Sequence, residues 1–171
     1  MKRWPRNAVD RGRPSSPKAR LRSRFQPFVI VSAALFLIAC ATPAVQFRIE
    51  YHDGSADSHD APLGAGLLFI GWLGVLYGVF AWYANLPLLL SWILAHFRVY
   101  WGAAAFASIA LLISLDTFAL YTHRTPQDEG GGSDDLLEYP HIGFYLWTAS
   151  MLVIVAGGIR AAISNRNQHI E

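Results

Sequence analysis

Long apolar stretches alternate along this chain with short segments that hold almost all of the charge. Four stretches, at about 25–47, 63–84, 99–121 and 141–163, contain only two charged side chains between them, Asp116 and Arg160. An α-helix of roughly 20 apolar residues crosses the hydrocarbon core of a bilayer, and a charge inside that core is costly. The pattern therefore predicts an all-α fold, a transmembrane bundle of four helices.

The segment between the second and third stretches predicts a further, shorter helix. The Asn-Leu-Pro sequence at 85–87 is expected to end the second span, because proline removes a backbone donor. Residues 86–97 are apolar but too few to cross the core. We therefore expect a short interfacial or partly re-entrant helix there, which ends near Arg98.

The two ends of the chain are polar. Residues 1–24 hold nine of the 14 Lys and Arg side chains and few large apolar ones. Such a segment buries too little surface to offset its ordering entropy, so we predict a disordered cytoplasmic arm. A basic arm directly before an apolar span is typical of a segment that rests on anionic lipid, so the predicted partner is the lipid bilayer and not nucleic acid. Residues 164–171 form a short cytoplasmic tail.

The basic side chains also predict the orientation. With the N-terminus in the cytoplasm, 12 of the 14 Lys and Arg lie on the cytoplasmic side, and only Arg48 and Arg124 lie outside. The outer loops hold nine of the 12 acids. This strong positive-inside bias predicts a multi-pass protein of a bacterial-type inner membrane, with both termini in the cytoplasm.

The composition agrees with a membrane protein. The single cysteine limits the covalent chemistry that is open to the chain. Apolar and aromatic residues make up 53% of the chain and charged ones only 15%, fewer than a soluble protein carries. Cys40, alone, excludes an intramolecular disulfide and a cysteine-based metal cluster. The sequence Leu-Ile-Ala-Cys at 37–40 also has the form of a lipobox, and a signal-peptidase site is the other alternative. Apolar character that continues to Phe47 favours an uncleaved anchor.

Small residues recur in two of the spans at helical spacing. The second span has Gly71, Gly74, Gly78 and Ala81, and the third has Ala103, Ala107, Ala110 and Ser114. Helices in lipid associate through close backbone approach along such stripes. We expect the two stripes to face each other within one subunit; the alternative is dimerisation through the GxxxG pair, Gly74 and Gly78.

Asp116 is the one acid inside a predicted span. Carboxylates within a membrane often mark ion or proton routes, so Asp116 is a candidate for ion handling. The other interpretation is structural, with Asp116 near the outer interface or accepting hydrogen bonds from nearby hydroxyls. Other spans offer no Lys or His partner at similar depth, which favours the structural interpretation.

The first outer loop contains side chains that can bind metals: His52, Asp53, Asp57, His59 and Asp60. Histidines with carboxylates can bind zinc or copper. The spacing matches no defined site, and a solvated acidic loop commonly has this composition. We predict no cofactor, and a metal-responsive loop remains an alternative.

Sequence motifs of catalysis are missing from the chain: it has no GxSxG, HExxH, P-loop or dinucleotide fingerprint. The leading hypothesis is a non-enzymatic membrane component, either an accessory subunit or an immunity-type protein, whose partner is another membrane protein. The alternatives are a small transporter or channel subunit that uses Asp116, and a metal-responsive sensor.

Two segments resemble a family of small, uncharacterised bacterial inner-membrane proteins with four predicted spans. They are GWLGVLYGVFAWYAN, from Gly71 to Asn85 with Pro87 just beyond, and FYLWTAS, from Phe144 to Ser150. Leu86 separates the asparagine from the proline, which are adjacent in the family pattern. The resemblance implies the four-span topology and no activity.

Overall fold

The computed structural model describes residues 17–122, 124–126 and 132–167, with most of the chain in helices. The α-helices are α1 (Pro17–Ala41), α2 (Gly64–Ile70), α3 (Asn85–His96), α4 (Tyr100–Ser114) and α5 (Ile142–Asn167). There are also three 3-10 helices among these residues. Gly71–Tyr77 follows α2 directly, Ala81–Ala84 leads into α3, and Leu115–Tyr121 follows α4 directly. Residues 1–16 of the predicted disordered arm, and 168–171 of the predicted tail, lie outside the described residues.

Helix α1 begins earlier than the sequence predicts. Residues 17–24, assigned to the disordered arm, are helical, and Pro17 occupies the first position of the helix. Once a helix exists, each added residue gains a hydrogen bond at little cost, and Ala, Leu, Lys and Arg are good helix formers. Proline suits the first helical position because no N–H is needed there. Pro27 consequently lies inside α1 and not in its first turn.

Four helices pack side by side in antiparallel order. Helix α5 lies between α1 and α4, and α3 packs on α4. Helices α3 and α4 are joined by a tight turn in which Arg98 has φ 65°, and the Val99 N–H donates to the Leu94 carbonyl. The N-terminal end of α1, this turn and the C-terminal end of α5 therefore lie at one end of the bundle.

The second predicted span is not one helix. Residues 63–84 form α2, the 3-10 helix Gly71–Tyr77, a left-handed residue at Gly78 (φ 75°) and the 3-10 helix that leads into α3. Glycine is the weakest helix former after proline and adopts positive φ at no steric cost, so a glycine-rich segment is easily broken. The prediction that Asn-Leu-Pro ends a helix is also wrong: Pro87 lies in the first turn of α3, where its missing N–H does no harm.

Helix α3 is a packed member of the bundle. Its side chains at Leu88, Ser91 and Ala95 are buried, and the preceding 3-10 helix contacts α4. The predicted interfacial helix at 86–97 thus corresponds to a helix inside the bundle. The segment that crosses the bundle end is instead Gly64–Tyr77, which we call the crossing segment.

A small antiparallel sheet corrects the all-α prediction. Its strands are β1 (Val45–Tyr51), β2 (Ser58–Asp60), β3 (Thr125–Pro126) and β4 (Ser133–Pro140), in the order β2-β1-β4-β3. Strand β1 lies partly in the first predicted span, because α1 ends at Ala41 and Pro43 cannot continue it. One face buries Val45, Ile49 and Leu137. The sheet thus closes the bundle end opposite the α3–α4 turn.

Two helices are long and apolar enough to cross a membrane by length and composition: Tyr100–Tyr121 and Ile142–Asn167. Gln26–Ala41 and Gly64–Tyr77 are apolar but shorter. The fold is therefore mainly helical, with a small sheet at one end and two helices of spanning length among the described residues.

Candidate functional site

The crossing segment approaches its neighbours at positions where only glycine fits. A Cβ on Gly64 would collide with the Ala39 carbonyl of α1, and a Cβ on Gly71 would lie 2.7 Å from the Trp82 ring. The Gly64 N–H donates to the Thr42 carbonyl at 3.0 Å. These approaches hold the crossing segment against the end of α1 and the 3-10 helix that precedes α3.

A cavity lies beneath the crossing segment. Its volume is about 160 Å³, and its wall comes from α1, the crossing segment, the start of α3, α5 and β1. The side chains that form most of the wall are Phe36, Cys40, Leu67, Trp82, Phe144 and Trp147. An apolar cavity with a few polar groups at its wall is the usual form of a ligand-binding site.

The polar groups of the wall are bonded to the protein itself. The Trp82 indole N–H donates to the Leu68 carbonyl at 2.7 Å. The Asn85 amide donates to the Trp82 carbonyl at 2.8 Å, and its oxygen accepts from the Trp147 indole at 3.0 Å. The indole and amide groups are therefore satisfied, and the surface that remains in the cavity is mainly hydrocarbon.

Helices α1 and α3 contact each other next to the cavity, on the side toward the α3–α4 turn. The rings of Phe36 and Trp92 meet edge to face with centroids 5.5 Å apart. The Trp92 indole donates to the buried Ser32 hydroxyl at 3.0 Å. This contact bounds the cavity on the side toward the α3–α4 turn.

The two predicted stripes of small residues do not face each other. All four members of the α4 stripe are fully buried: Ala103, Ala107, Ala110 and Ser114. Ala103 and Ala107 pack in one cluster with Ile154 of α5, and Ala110 packs in another with Met151 of α5 and Leu88 of α3, so the stripe contacts both helices.

The members of the other predicted stripe lie on separate elements. Ala81 is buried, and its 3-10 helix contacts α4. Gly71 lies against Trp82, Gly74 lies against the Val79 carbonyl, and Gly78 makes a left-handed turn. Because the helix is broken, these three glycines cannot form one stripe with Ala81. Dimerisation through Gly74 and Gly78 stays a prediction.

Asp116 has a structural partner. It lies in the first turn of the 3-10 helix Leu115–Tyr121, and its carboxylate accepts a hydrogen bond from the Phe80 backbone N–H. Phe80 directly precedes the helical segment 81–96, so the carboxylate lies at the positive end of that segment's dipole. Sequence reasoning expected a hydroxyl partner; the donor is instead a backbone group at a helix start.

The metal-capable side chains of the first loop are distributed over different partners. His52 Nε2 lies 3.1 Å from Asp134 Oδ2, and His59 Nδ1 lies 3.2 Å from Glu138 Oε2.

Two of the loop carboxylates accept hydrogen bonds from nearby backbone N–H groups. Asp53 accepts from the Ser55 N–H at 2.9 Å and Asp60 from the Ala61 N–H at 2.9 Å, while Asp57 is exposed. Across residues 17–122, 124–126 and 132–167, no three metal-ligating side chains come together. The described residues thus do not form the metal site that was the alternative interpretation of this loop.

The remaining charges of the sheet form a set of exposed ion pairs on its solvent-facing side. Arg124 lies 3.4 Å from Glu50 and 3.8 Å from Asp134, and Arg48 lies 3.8 Å from Glu138. Together with His52 and His59, these side chains define what we call the charged face.

Two carboxylates of the loops have shifted pKa values. Partial burial, and then the charges of Asp60 and Asp134, raise the pKa of Asp135 to about 6. Hydrogen bonds from Ser55 lower the pKa of the exposed Asp53. Asp135 in strand β4 therefore favours its neutral form, and Asp53 in the turn between β1 and β2 favours its charged form.

Sequence reasoning missed the cavity and the chain of hydrogen bonds from Trp147 through Asn85 to Trp82. It treated Asn85 as part of a helix-ending segment and gave Trp147 no hydrogen-bonding role. The residue types did indicate such bonds, because an amide and an indole within apolar segments must find hydrogen-bond partners inside the protein.

No protein-family model matches this chain, and no curated protein matches it either. The resemblance to small four-span inner-membrane proteins therefore stays a prediction.

Proposed function

We propose that this chain is a four-span integral protein of a bacterial inner membrane that acts by binding a partner and not by catalysis. One observation carries the proposal: most buried positions of the bundle hold small side chains, with Leu88, Met151 and Ile154 among the exceptions, while many large apolar side chains are exposed. Its fully buried positions include Ala84, Ala103, Ala107 and Ser150, whereas Leu37, Trp101 and Leu112 are each more than 60% exposed.

This distribution suits hydrocarbon as the surrounding solvent. In water, exposed apolar surface costs about 25 cal/mol per Å², and many such side chains along four helices would add to a large penalty. In lipid that penalty disappears, and helices associate through the close approach that alanine, glycine and serine permit.

The buried hydroxyls point to the same solvent. Ser91, Ser114 and Ser150 each donate to a carbonyl three residues earlier, at 2.6 to 2.7 Å. In hydrocarbon every polar group must be satisfied within the protein, and these hydroxyls need no water.

The spans proposed here are α1, residues 81–96, Tyr100–Tyr121 and α5. The second span moves from 63–84 to 81–96, which is about 25 Å long against a core of roughly 30 Å. Arg98 stays at the cytoplasmic turn, and Arg48 and Arg124 stay outside, so the positive-inside bias is unchanged. The sheet and the crossing segment then lie at the outer surface.

The charged face is the surface best suited to a partner in this arrangement. It presents both signs of charge on a sheet that the bundle holds in place, and complementary charge sets register and orientation between proteins. We therefore propose an accessory or immunity-type component whose partner is a second membrane protein with a polar outer surface. The bond from Phe80 to Asp116 favours a structural role for that carboxylate over ion transport.

Topology is tested with alkaline phosphatase fused after four positions of the chain. We expect activity after Gly54 and Gly78, which lie outside, and none after Arg98 or Glu171, which lie inside. Phosphatase activity after Glu171, or recovery of the intact chain from the soluble fraction, would overturn the proposal.

Partner binding is tested by extracting the tagged full-length chain in mild detergent after cross-linking. We expect a defined membrane protein that is lost when Glu138 is replaced by Lys on the charged face and retained when Leu112 is replaced by Ala on the exposed helix surface. Equal recovery with both variants would contradict a role for the charged face.

A further inference from the structure

We propose that the cavity beneath the crossing segment holds a short stretch of one acyl chain of a phospholipid from the outer leaflet. This inference rests on the proposed membrane embedding, and it gives a role to the glycine-rich segment that the proposed function leaves without one.

The chemistry of the wall selects hydrocarbon. The side chains of Phe36, Leu67 and Phe144 present apolar surface, and the Trp82 and Trp147 indoles have acceptors within the protein. An occupant that carried polar groups would lose its hydrogen bonds to water and gain few in return, at a cost of a few kcal/mol per group. A saturated or monounsaturated chain has no such cost.

The volume and the apolar wall argue against a water-filled cavity and leave room for a small stretch of hydrocarbon. Apolar cavities of about 150 Å³ stay dry and bind small hydrocarbons, and the cavity here has a volume of about 160 Å³. A void of this size forfeits the dispersion contacts of its wall, and several methylene groups would restore them.

The position of the cavity brings it next to lipid. The crossing segment lies at the outer end of the bundle, and its other side exposes Phe69 (78%), Ile70 (64%) and Leu76 (73%). An apolar segment with this exposure would lie among lipid chains at the outer interface. Lipid chains are thus the surrounding medium of the cavity, and they are present at far higher concentration than any other apolar group that could enter it.

The glycines make the site possible. Gly64 and Gly71 allow the crossing segment to contact Ala39 and Trp82 closely enough to enclose the cavity. The left-handed Gly78 turns the chain from the crossing segment back into the bundle. The glycine pattern that suggested a helix-packing stripe is explained as the means of building this wall.

Native mass spectrometry of the full-length protein tests the proposal. After extraction from membranes and exchange into fresh detergent, we expect one phospholipid retained per chain. Leu67→Trp fills the cavity and should abolish retention. Leu76→Trp, a matched change on the exposed side of the same segment, should leave it intact. A wild-type chain without lipid, or equal retention by both variants, would overturn the proposal.

Cys40 supplies a second measurement that needs no variant. It lies in the cavity wall and is the single cysteine of the chain. Phosphatidylglycerol vesicles at ten times the dissociation constant should slow maleimide labelling of delipidated protein about tenfold. An unchanged rate overturns the proposal, as does equal protection by glycerophosphoglycerol, which is the headgroup without acyl chains.

The two proposals fail in different ways. Recovery of the chain in the soluble fraction removes both the membrane assignment and the lipid site. Correct phosphatase topology together with an unprotected Cys40 and no retained lipid removes only the lipid site.

Discussion

In the bundle the helices contact each other mainly through alanine, glycine and serine. In the sheet, one face carries buried large apolar side chains and the other carries charged pairs. At the bundle core, a Cβ on Gly158 would lie 2.9 Å from the Tyr100 carbonyl and 3.0 Å from the Ala104 side chain. On the sheet, the Arg124 side chain is 60% exposed and lies between two carboxylates.

The proposed membrane embedding explains the difference through two solvents. In the proposed lipid environment helices gain little from burying large apolar side chains, so close contact between backbones stabilises them. The sheet faces water, so burial of Val45, Ile49 and Leu137 stabilises it, while its exposed ion pairs are screened. Stability should therefore depend on side-chain size in the bundle and only weakly on charge in the sheet.

The largest expected effect comes from adding volume where helices α4 and α5 touch. Gly158→Leu should lower the free energy of unfolding by about 3 kcal/mol, because the new side chain must displace backbone and the Ala104 methyl. Unfolding in mixed micelles of mild detergent and SDS measures it.

Gly66→Leu is the matched control for that change. A Cβ on Gly66 meets nothing within 4 Å, and the residue is exposed on α2. We expect the stability of this variant to change by less than about 0.5 kcal/mol. Equal losses from the two variants would show that close packing between α4 and α5 is not what holds the bundle together.

The sequence predicted the bundle better than the sheet. High hydropathy over about 20 residues is a strong signal of a helix, whereas alternation of apolar and polar residues over seven residues is a weak signal of a strand. The stretches at 99–121 and 141–163 correspond to the helices Tyr100–Tyr121 and Ile142–Asn167. Strand β1 (VQFRIEY) alternates, but its first residues belong to an apolar stretch that α1 dominates. The helical part of the fold was therefore predictable, and the sheet was hidden by its neighbours.

The second span shows where hydropathy fails. An average over 63–84 counts glycine as compatible with a helix, yet Gly78 at φ 75° turns the chain there. The cavity was harder still, because it depends on Trp82, Asn85 and Trp147 meeting from two helices. Residue types alone indicated that these groups needed partners, and only the fold determined which ones.

A smaller effect is expected from the partly buried carboxyl of the sheet. The pKa of Asp135 is raised to about 6, whereas an unfolded aspartate titrates near 3.9. Its contribution to stability is complete below about pH 4 and is lost as pH rises through about 6. Asp135→Asn should remove that dependence and, at pH 7.5, stabilise the protein by about 1 kcal/mol after allowance for solvent screening.

Asp53→Asn gives the opposite sign as a control. The pKa of Asp53 is lowered by Ser55, so its contribution is present above the unfolded value and is lost as pH falls through the folded one. The variant should differ from wild type at neutral pH and converge with it in acid. Melting temperatures between pH 3.5 and 8 distinguish the two, and a wild-type curve that is flat from pH 4 to 6 would contradict the assignment to Asp135.

The smallest expected effect is at the charged face, where Arg124→Gln removes both ion pairs at once. Arg124 is 3.4 Å from Glu50 and 3.8 Å from Asp134, but its exposure lets water and salt screen the attraction. The loss should stay below about 0.5 kcal/mol in low salt and vanish near 1 M, where the Debye length is about 3 Å. A double-mutant cycle with Glu50→Gln isolates the pair. A coupling as large as the Gly158→Leu effect would mean that charge governs the sheet as strongly as side-chain size governs the bundle, and the contrast between two solvents would no longer explain the molecule.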